Sequence, residues 1–412
     1  MEKKMSEYKT IGDYAEAFSG YAFSSEDLVE DGVPVIKIGN IQNGIVVKEC
    51  DSCYQKEITG KLKRYILDSD DFLIAMTGAG SVGRAGKMRG STETVYLVNQ
   101  RVAIVRTRDN ANPDYLFYYF SMPYVERYLY SLGIGAGQPN ISAKDIMKTK
   151  VAFPDKNVQD KIADILVKYD ELIDCNKLRI RILEQMAENL YKEWFVRFRF
   201  PGHEDDEFSA GEPKDWVLTK LEEIINIDRG LSYSSDEIDC DEGADLINLK
   251  NIQAFGGFRI EGTKKYSGKY KEQQIVQRGD LVMGVTDMTQ DRRTVGAVAL
   301  IPVIHNISVI SADLIKLTSK LNNVFLYCMF KYGGVSRYIS QFANGANVLH
   351  LRPQVVNRVK VFLPTENIID MFSKVVQPII DEVDLLNEKN DNLIKQRDLL
   401  LPRLMSGKLE VK

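Results

Sequence analysis

Apolar residues recur at alternating spacings of three and four in two long stretches of the chain. One stretch runs from Val158 to Leu190 and the other from Ile368 to Leu404. This spacing is typical of a helix that packs along one seam, so it predicts two long helices. The predicted seam positions are Val158, Ile162, Ile165, Tyr169, Leu172, Leu183 and Leu190 in the first helix, and Ile368, Phe372, Val375, Leu386, Leu393 and Leu400 in the second.

Each seam is interrupted by one asparagine and one arginine. These are Asn176 and Arg179 in the first helix, and Asn390 and Arg397 in the second. A polar seam residue costs stability but fixes the register and the orientation of the partner. We therefore expect the helices to pair as an antiparallel coiled coil; the alternative is two separate helices, each lying on its own domain. An extra residue in the second seam near Pro378 predicts a kink or local unwinding.

Ahead of each helix the pattern changes to short apolar runs separated by turns that contain glycine and asparagine. Runs such as Phe72–Met76 and Arg101–Val105 predict strands, while Asn112–Leu132 predicts one helix that opens with Asn-Pro. The sequence thus predicts an α+β fold in which two β-rich domains alternate with two long helices. The predicted domains are residues 1–154 and 201–364, and the predicted helical segments are residues 155–200 and 365–412.

The second half of the chain repeats the first at an offset of about 210 residues. Matching pairs include Asn112 with Asn322, Phe120 with Phe330, Arg127 with Arg337, Gly135 with Gly345 and Pro154 with Pro364. Further upstream the offset shifts by one residue, as expected if loops differ in length between two copies of one fold. One polypeptide therefore carries two similar but unequal modules.

Composition limits the classes of protein to which this chain can belong. A chain of 412 residues with a net charge of −4 and these apolar and charged fractions is typical of a globular protein with two or three domains. No apolar stretch is long enough to cross a bilayer, and the N-terminus lacks the apolar segment of a signal peptide. Five scattered cysteines indicate a reducing compartment, so we expect a cytoplasmic protein. The weak negative charge disfavours a nonspecific nucleic-acid coat but allows a local basic face.

Three short motifs suggest chemistry that their surroundings do not support. Gly78–Gly83 spells the G-x-G-x-x-G of dinucleotide-binding loops, but no amphipathic helix follows it. Asn112–Tyr115 resembles the Asn-Pro-Pro-Tyr motif of adenine methyltransferases, but its position favours a helix cap. Cys50 and Cys53 have the spacing of half a zinc site, but no second pair of cysteines or histidines stands at ligand spacing. We therefore predict neither a cofactor nor a metal site in this chain.

Several segments resemble the specificity subunits of Type I restriction–modification systems. Gly135–Ser142, followed by Val151–Pro154, resembles the family's junction between a target recognition domain and a conserved helix. Glu188–Phe195 with Phe200–Gly202 is similar to the central conserved region, and Leu399–Leu409 is similar to the C-terminal ending. The resemblance extends over the chain in the order domain, helix, domain, helix.

This resemblance implies a DNA-binding protein that catalyses nothing and holds no cofactor itself. In the family, each target recognition domain reads one half of a split double-stranded DNA site, and the paired helices set the unread spacer. Two modification subunits dock on this scaffold and methylate adenine with S-adenosylmethionine, while restriction subunits use ATP and Mg²⁺. The alternatives from other classes are a self-contained enzyme, whose nucleotide-binding or nuclease motifs are lacking, and a coiled-coil adaptor that binds only proteins.

Basic and glycine-rich loops provide the candidate DNA contacts. Such a loop lets backbone N–H groups approach phosphates while arginine or glutamine side chains reach base edges. The candidates are Thr77, Gly78, Ser81, Arg84, Lys87, Arg89, Arg101 and Gln138 in the first domain, and Lys264, Lys265, Thr286, Arg292, Arg293 and Asn347 in the second. The alternative for each of them is a position on an ordinary solvated surface.

Overall fold

A computed structural model describes residues 9–55, 57–90, 93–135, 137–205, 207–209, 211–238 and 240–411. Ala136 of the Gly135–Ser142 segment, residues 1–8 of the first predicted domain and Lys412 lie outside the described residues. The chain divides into two compact units. Unit 1 contains the described residues up to Ile173 together with those from Asn392 onward, and unit 2 is Asp174–Asp391.

Two long helices stand out among the helical elements. The α-helices of the described residues are α1 (Pro113–Phe120), α2 (Pro123–Leu132), α3 (Ala143–Lys148), α4 (Lys156–Tyr191), α5 (Leu221–Ile224), α6 (Asn323–Tyr332), α7 (Val335–Ser340), α8 (Pro353–Arg358) and α9 (Glu366–Met405). Helices α4 and α9 are the two that the heptad spacing predicts. Helix α4 continues into a π-helical turn at Lys192–Val196.

Helices α1 and α2 occupy the segment for which the sequence predicts one helix, so the prediction of a single helix is wrong. Asn112 caps α1 as predicted, because its side chain accepts a hydrogen bond from the backbone N–H of Tyr115 at 2.9 Å. Helix α1 ends at Phe120, and α2 begins at Pro123. Proline has no N–H to donate and its ring clashes with the preceding turn, so a new helix starts there.

The domain in unit 1 is built on a six-stranded sheet. Its strands are β1 (Lys9–Thr10), β2 (Ala15–Ser19), β3 (Leu28–Val29), β4 (Val33–Ile36), β5 (Ile41–Gln42), β6 (Gly44–Val46), β7 (Cys53–Tyr54), β8 (Phe72–Ala75), β9 (Ala85–Lys87), β10 (Leu97–Val98), β11 (Val102–Thr107) and β12 (Lys150–Val151). The large sheet has the order β2-β11-β8-β9-β6-β5, a second sheet has the order β10-β4-β7-β3, and β1 pairs with β12.

Strand β8 shows how this domain buries both faces of its sheet. Phe72 and Ile74 lie in the core beneath α1 and α2, whereas Leu73 and Ala75 lie in a second core on the opposite face. Side chains alternate between the faces of a strand, so a continuous apolar run predicts a strand that is covered on both sides.

The domain in unit 2 repeats this plan with a smaller central sheet. Its strands are β13 (Phe208–Ser209), β14 (Glu212–Pro213), β15 (Val217–Lys220), β16 (Ile225–Arg229), β17 (Ala244–Ile247), β18 (Lys264–Tyr266), β19 (Ile275–Val276), β20 (Leu281–Gly284), β21 (Thr286–Asp287), β22 (Val298–Leu300), β23 (Ser308–Ile310), β24 (Leu314–Ser319), β25 (Leu349–His350) and β26 (Lys360–Leu363). The sheet orders are β16-β24-β20-β22 and β18-β17-β23-β19, with pairs β13-β14, β15-β26 and β21-β25.

Equivalent strands make equivalent pairings in the two domains, which confirms the predicted repeat. Strand β2 pairs antiparallel with β11, and β16 pairs antiparallel with β24. Gly83 and Gly296 both have left-handed backbones, with φ of 85° and 78°. A Cβ on either would lie 2.8 or 2.9 Å from a carbonyl oxygen of α2 or α7, respectively, so both positions require glycine.

In unit 1 the N-terminal part of α4 runs antiparallel to the C-terminal end of α9. Tyr169 Oη donates a hydrogen bond to Gln396 at 3.4 Å. A neighbouring contact joins the same two helices, because Arg397 donates to Asp170 at 2.5 Å. Ile162, Leu166, Leu401 and Leu404 lie in the same core as α1 and the sheet. The two helices therefore belong to the hydrophobic core of the first domain.

In unit 2 the other parts of the same helices also run antiparallel. Asn176 Nδ2 donates to Asn390 Oδ1 at 2.9 Å, and Arg179 donates to Glu382 at 2.8 Å, so residue numbers rise on α4 as they fall on α9. The two predicted seam asparagines thus bind each other. The antiparallel pairing is confirmed, and the alternative of two separate helices is wrong.

The structure contradicts the predicted seam at Val158, Leu172 and Val375. These side chains are 36%, 53% and 47% exposed. In each case the next residue is buried instead, namely Gln159, Ile173 and Val376. The reason is that each helix packs against a domain as well as against the other helix, so the buried face is wider than a coiled-coil seam and is rotated from it.

The second seam is closer to its prediction. Ile368, Phe372 and Leu386 are buried, and Leu393 and Leu400 are half-buried. On α4, Ile162 is buried and Ile165, Tyr169, Leu183 and Leu190 are half-buried. Helix α9 is continuous through Pro378, so the predicted local unwinding does not occur there.

Candidate functional site

Two loops of the first domain meet beside its central sheet. The glycine loop, residues 77–83, follows β8, and the junction loop, residues 134–140, follows α2. Thr77 pairs with Asn140 as an isolated β-bridge, and the backbone N–H of Gly78 donates to Pro139 O at 3.1 Å. Gln138 is exposed beside them, whereas Ser81 and Thr77 are half-buried. The structure thus joins the two segments that the sequence treats as separate candidates.

The second domain joins its equivalent loops in the same way. The Thr–Asp loop, residues 286–294, starts with β21, which pairs Thr286 with His350. His350 lies 210 positions after Asn140, so the same pairing recurs in both domains. The Thr–Asp loop also binds the junction loop of the second domain, residues 344–350, because Gln290 Nε2 donates to Ala346 O at 3.0 Å. Asn347 is exposed on that junction loop, while Thr286 is buried.

A buried carboxylate fixes the Thr–Asp loop. Asp287 is 2% exposed, and its carboxylate accepts hydrogen bonds from the backbone N–H of Thr289 at 2.8 Å and of Thr294 at 2.6 Å. Burial alone raises the pKa of Asp287, but these hydrogen bonds hold it below its usual value. The carboxylate is therefore ionised at neutral pH and ties the two ends of the loop together.

A third loop in each domain was missed by sequence reasoning. We call these the Asn43 turn, residues 41–44, and the Phe255 turn, residues 253–257. Arg84 donates to the carbonyl oxygen of Ile41 at 3.1 Å, and the backbone N–H of Phe255 donates to Arg293 O at 2.7 Å. Each turn therefore braces the glycine loop or the Thr–Asp loop of its own domain.

Unusual backbone geometry is concentrated in these loops. Among the described residues other than glycine, four have a left-handed backbone, and three of these are Asn43, Phe255 and Arg292, with φ of 50°, 65° and 53°. Such conformations are costly for residues other than glycine and asparagine, and they cluster at functional sites. The Asn-Gly dipeptide at 43–44 was a readable turn signal, whereas no sequence rule predicts a left-handed phenylalanine.

The cations of the first domain divide into two groups. Arg84 also donates to Gly80 O, so its side chain lies along the glycine loop. Arg101 is exposed at the edge of β11, where its carbonyl oxygen accepts from Met76. By contrast, Lys87 binds Asp114 at 2.6 Å. Lys87 and Arg89 each form an ion pair with a carboxylate inside unit 1.

Arg89 belongs to a network around Asp170. The Asp170 carboxylate is 7% exposed and accepts hydrogen bonds from Arg89 at 2.7 Å, Tyr118 Oη at 2.6 Å and Arg397 at 2.5 Å. Burial, followed by the nearby Asp170 charge, raises the pKa of Tyr118, so its hydroxyl stays a donor. These contacts link the first domain, α4 and α9 within unit 1, beside a cavity of about 910 Å³.

The cations of the second domain lie in two places. Lys264 and Lys265 are on β18 of the smaller sheet, and Lys265 binds Asp245 at 2.7 Å. Arg292 and Arg293 are on the Thr–Asp loop, where Arg293 is exposed and binds Asp291 at 2.6 Å. The Nε atom of Arg292 is buried and has no hydrogen-bond partner among the described residues. A buried unpaired donor on a loop is a rare feature that calls for an explanation.

Residues 3–185 match the family described as the Type I restriction modification DNA specificity domain. The MjaVIII Type I restriction enzyme specificity subunit of Methanocaldococcus jannaschii is 22% identical over 98% of this chain and 92% of its own length. The chain is thus similar to Type I restriction–modification specificity subunits along nearly its whole length. The HindI specificity subunit of Haemophilus influenzae is 23% identical to it over 92% of this chain and 94% of its own length.

A solved structure supports this fold. The Type I restriction–modification S subunit from M. genitalium covers 98% of both chains with a TM-score of 0.59 at 14% sequence identity. This likeness agrees with two β-rich domains and two long helices.

The described part of the chain offers no cluster of three or more His, Cys, Asp or Glu residues suited to a metal ion. Cys50 and Cys53 are free, and burial raises the pKa of Cys50 to about 11, which disfavours the thiolate that metals bind. The glycine loop lies between the antiparallel strands β8 and β9 rather than before a helix. No helix of the described residues is long and apolar enough to cross a membrane.

Proposed function

We propose that this chain is the DNA-binding specificity subunit of a Type I restriction–modification complex. Each β-rich domain reads one half of a bipartite site in double-stranded DNA, and the paired helices set the spacer and dock modification subunits. The chain performs no catalysis and holds no cofactor. S-adenosylmethionine belongs to the modification subunits, and ATP and Mg²⁺ belong to the restriction subunits.

One observation carries this proposal. Both domains join a loop after the central strand to the junction loop through the same backbone pairing, Thr77 with Asn140 and Thr286 with His350. The frame is therefore equivalent, while the side chains it presents differ. A repeated frame with different exposed side chains is what two readers of unlike half-sites require, because base edges are distinguished by the side chains that face them.

In the first domain, we assign exposed side chains to DNA contacts and ion-paired cations to a structural role. Gln138 has the two-headed amide that suits an adenine edge, and Arg101 is placed for a phosphate or a guanine. The backbone at Gly78 and the Thr77 and Ser81 hydroxyls provide small groups beside them. Lys87 and Arg89 face carboxylates of their own unit. They position the domain rather than contact DNA.

In the second domain, the Thr–Asp loop carries the proposed contacts. Arg293 and Asn347 are exposed, and Arg292 has an unpaired donor. That donor is buried, so a phosphate or a guanine edge would satisfy it once the Arg292 side chain turns outward on binding. Thr286 is buried and binds Asp313 at 2.9 Å, so its role is to hold the loop. Lys264 and Lys265 lie outside the loop frame and are assigned to a solvated surface.

An exposed apolar stripe on α4 supports docking of modification subunits. Leu178, Ile182 and Met186 are 54%, 52% and 47% exposed and recur every fourth residue on the part of α4 in unit 2. That spacing places them along one helix face. Apolar side chains in a row on a helix favour packing against the apolar face of an amphipathic helix in a partner.

The test is a domain exchange in the complete complex. Residues 1–154 are replaced by the corresponding domain of a relative, the chain is co-expressed with its modification subunits, and methylated adenines are mapped in genomic DNA. One half of the methylated motif should change while the other half and the spacer stay the same. The matched control exchanges residues 201–364, which should change the other half.

Two results would overturn the proposal. A motif that changes in both halves would mean that the domains are not separate readers. A complex that binds modification subunits but never binds duplex DNA would favour the protein-binding adaptor instead.

A further inference from the structure

Large apolar side chains project from the candidate loops of both domains. Met288 on the Thr–Asp loop is 70% exposed, and Phe255 on its bracing turn is 66% exposed. In the first domain, Ile134 on the junction loop is 65% exposed. These rank among the most exposed large apolar residues of the described chain. Single exposed apolar residues are ordinary on a surface. Here, however, Met288 stands on the loop that carries Arg292 and Arg293, Phe255 on the turn that braces that loop, and Ile134 on the loop that carries the exposed Gln138.

The backbone around Met288 keeps its side chain in solvent. The preceding Asp287 is clamped by Thr289 and Thr294, and Thr286 is paired to the junction loop. The loop on which Met288 stands is therefore fixed at both of its ends before any ligand binds. A group that is ordered in advance loses little conformational entropy on binding.

Phe255 is held outward at a cost. Its backbone is left-handed, and its N–H is bound to Arg293 O at 2.7 Å. The corresponding turn of the first domain has Asn43, which tolerates this conformation better. A strained phenylalanine that faces solvent gains no packing from its ring. The strain therefore points to a contact outside the chain.

The junction loop holds Ile134 in a comparable way. The backbone N–H of Asn140 donates to Gly133 O at 3.1 Å and closes the base of the loop, and Pro139 binds Gly78 of the glycine loop. Ile134 thus stands beside the glycine loop of its own domain.

We propose that Met288 and Phe255 in the second domain, and Ile134 in the first, contact the C5 methyl groups of thymines in their half-sites. The proposal rests on the proposed function. Thymine is the base that presents a methyl group in the major groove, and apolar side chains are the groups that recognise it. The neighbouring arginines provide the polar and phosphate contacts, and the apolar residues add discrimination of thymine from cytosine.

Deoxyuridine provides the test, because it removes only the methyl group from thymine. The complete complex with modification subunits is titrated with its mapped site, in which each thymine is replaced in turn. A half-site with a methylated adenine contains at least one thymine, since adenine pairs with thymine. For the unaltered complex, at least one replacement in each half-site should weaken binding about threefold to fivefold, as expected for one buried methyl group.

The variants should separate the two half-sites. Met288→Ala and Phe255→Ala should each reduce the deoxyuridine effect in the second half-site and keep it in the first, and the double variant should abolish it there. Ile134→Ala should abolish the effect in the first half-site and keep it in the second. Met288→Leu should retain the effect. Ile307→Ala is the matched control, because Ile307 is 58% exposed in the second domain but outside these loops.

Deoxyuridine that leaves binding unchanged at every position would overturn the inference, as would a Met288→Ala/Phe255→Ala double variant with an intact deoxyuridine effect in the second half-site. Either result leaves the proposed function standing, since the complex still binds its site. Failure to bind any duplex would instead count against the proposed function.

Discussion

The two units share strand pairings but stabilise their loops and helices by different means. The glycine loop of the first domain is short and relies on Arg84 to brace it, whereas the longer Thr–Asp loop is held by the buried Asp287. The helix pair of unit 1 encloses the charged network of Asp170, Arg89 and Arg397. The helix pair of unit 2 packs instead on an aromatic cluster.

That aromatic cluster occupies the second turn of α9 and the end of α4. Phe372 lies 4.8 Å from Phe195, 5.6 Å from Trp194 and 6.0 Å from Tyr191 between ring centroids. The comparison teaches that a repeated backbone tolerates different side chains along the helix pair, provided that each polar group is paired. Loops and interfaces can therefore diverge while the strands remain equivalent.

The largest effect is expected from a charge placed in the helix interface of unit 2. Leu386 is fully buried on α9, so Leu386→Asp should lower the free energy of unfolding by roughly 5 kcal/mol, from lost burial and a desolvated carboxylate. Leu172→Asp is the matched control on the exposed side of α4, where little change is expected. Urea unfolding of the full chain measures both. Equal losses would show that the heptad seam, rather than the buried face, governs stability.

The second largest effect on stability is expected from the charged network around Asp170. Asp170→Ala removes the buried carboxylate that Arg89, Tyr118 and Arg397 share. This change should cost about 3 to 5 kcal/mol and should raise hydrogen exchange in α1 and at the end of α9. Glu171→Ala, on the exposed side of the same turn, should change neither. Normal protection in unit 1 after Asp170→Ala would mean that the network is dispensable and that the two units do not differ in this respect.

Asp384 gives unit 2 a pH dependence. Burial, followed by the nearby Asp381, raises the pKa of Asp384 from 3.8 to about 6, although Arg278 opposes the shift. The folded state therefore binds the Asp384 proton more tightly than the unfolded chain does. The protonated carboxyl group stabilises the folded state fully below about pH 4, and this stabilisation is lost as the pH rises through 6. Asp384→Asn should stabilise the protein by about 3 kcal/mol at pH 8.

The matched control for Asp384 is Glu388→Gln, which removes an exposed carboxylate from the same helix. It should leave the pH profile of unfolding unchanged between pH 4 and 8. An Asp384→Asn variant whose profile still matches the parent protein would assign that pH dependence to another group.

The smallest effects concern single DNA contacts. Arg101→Ala and Arg292→Ala should each weaken binding of the complete complex by about 1 kcal/mol and flatten its log–log salt dependence by about one unit if the residue meets a phosphate. Lys220→Ala, outside the loops, is the control. Competition binding at several salt concentrations measures the slopes. Unchanged affinity in both arginine variants would remove these two residues from the interface.

Sequence periodicity predicted the repeat, the two long helices and their pairing, because these follow from apolar patterns and chain order. It misplaced Leu172 and Val375, because a single sequence does not tell which face of a helix meets a domain. It proposed Lys87 and Arg89 as DNA contacts from charge alone, whereas their partners Asp114 and Asp170 come close only after folding. The assignment of DNA contacts stays a prediction.

The left-handed Phe255 and the clamp at Asp287 could not be predicted for a related reason. Both depend on hydrogen bonds between loops that are distant in sequence or irregular in shape, for which there is no simple periodicity. The pairing of Thr77 with Asn140 could not be predicted from the sequence either. The structure shows that it is part of the repeat, because Thr286 pairs with His350 in the same way.

Unit 1 is completed by residues that follow Asp391, and this has a consequence for synthesis on the ribosome. Leu401, Leu404 and Arg397 join the core and the charged network of unit 1 more than 200 residues after Ile173. At usual elongation rates the first domain emerges on the order of 10 to 40 s before these residues do. Until then Ile162 and Leu166 lack part of their cover, so a chain released early has an unfinished first unit even though its first domain was fully translated.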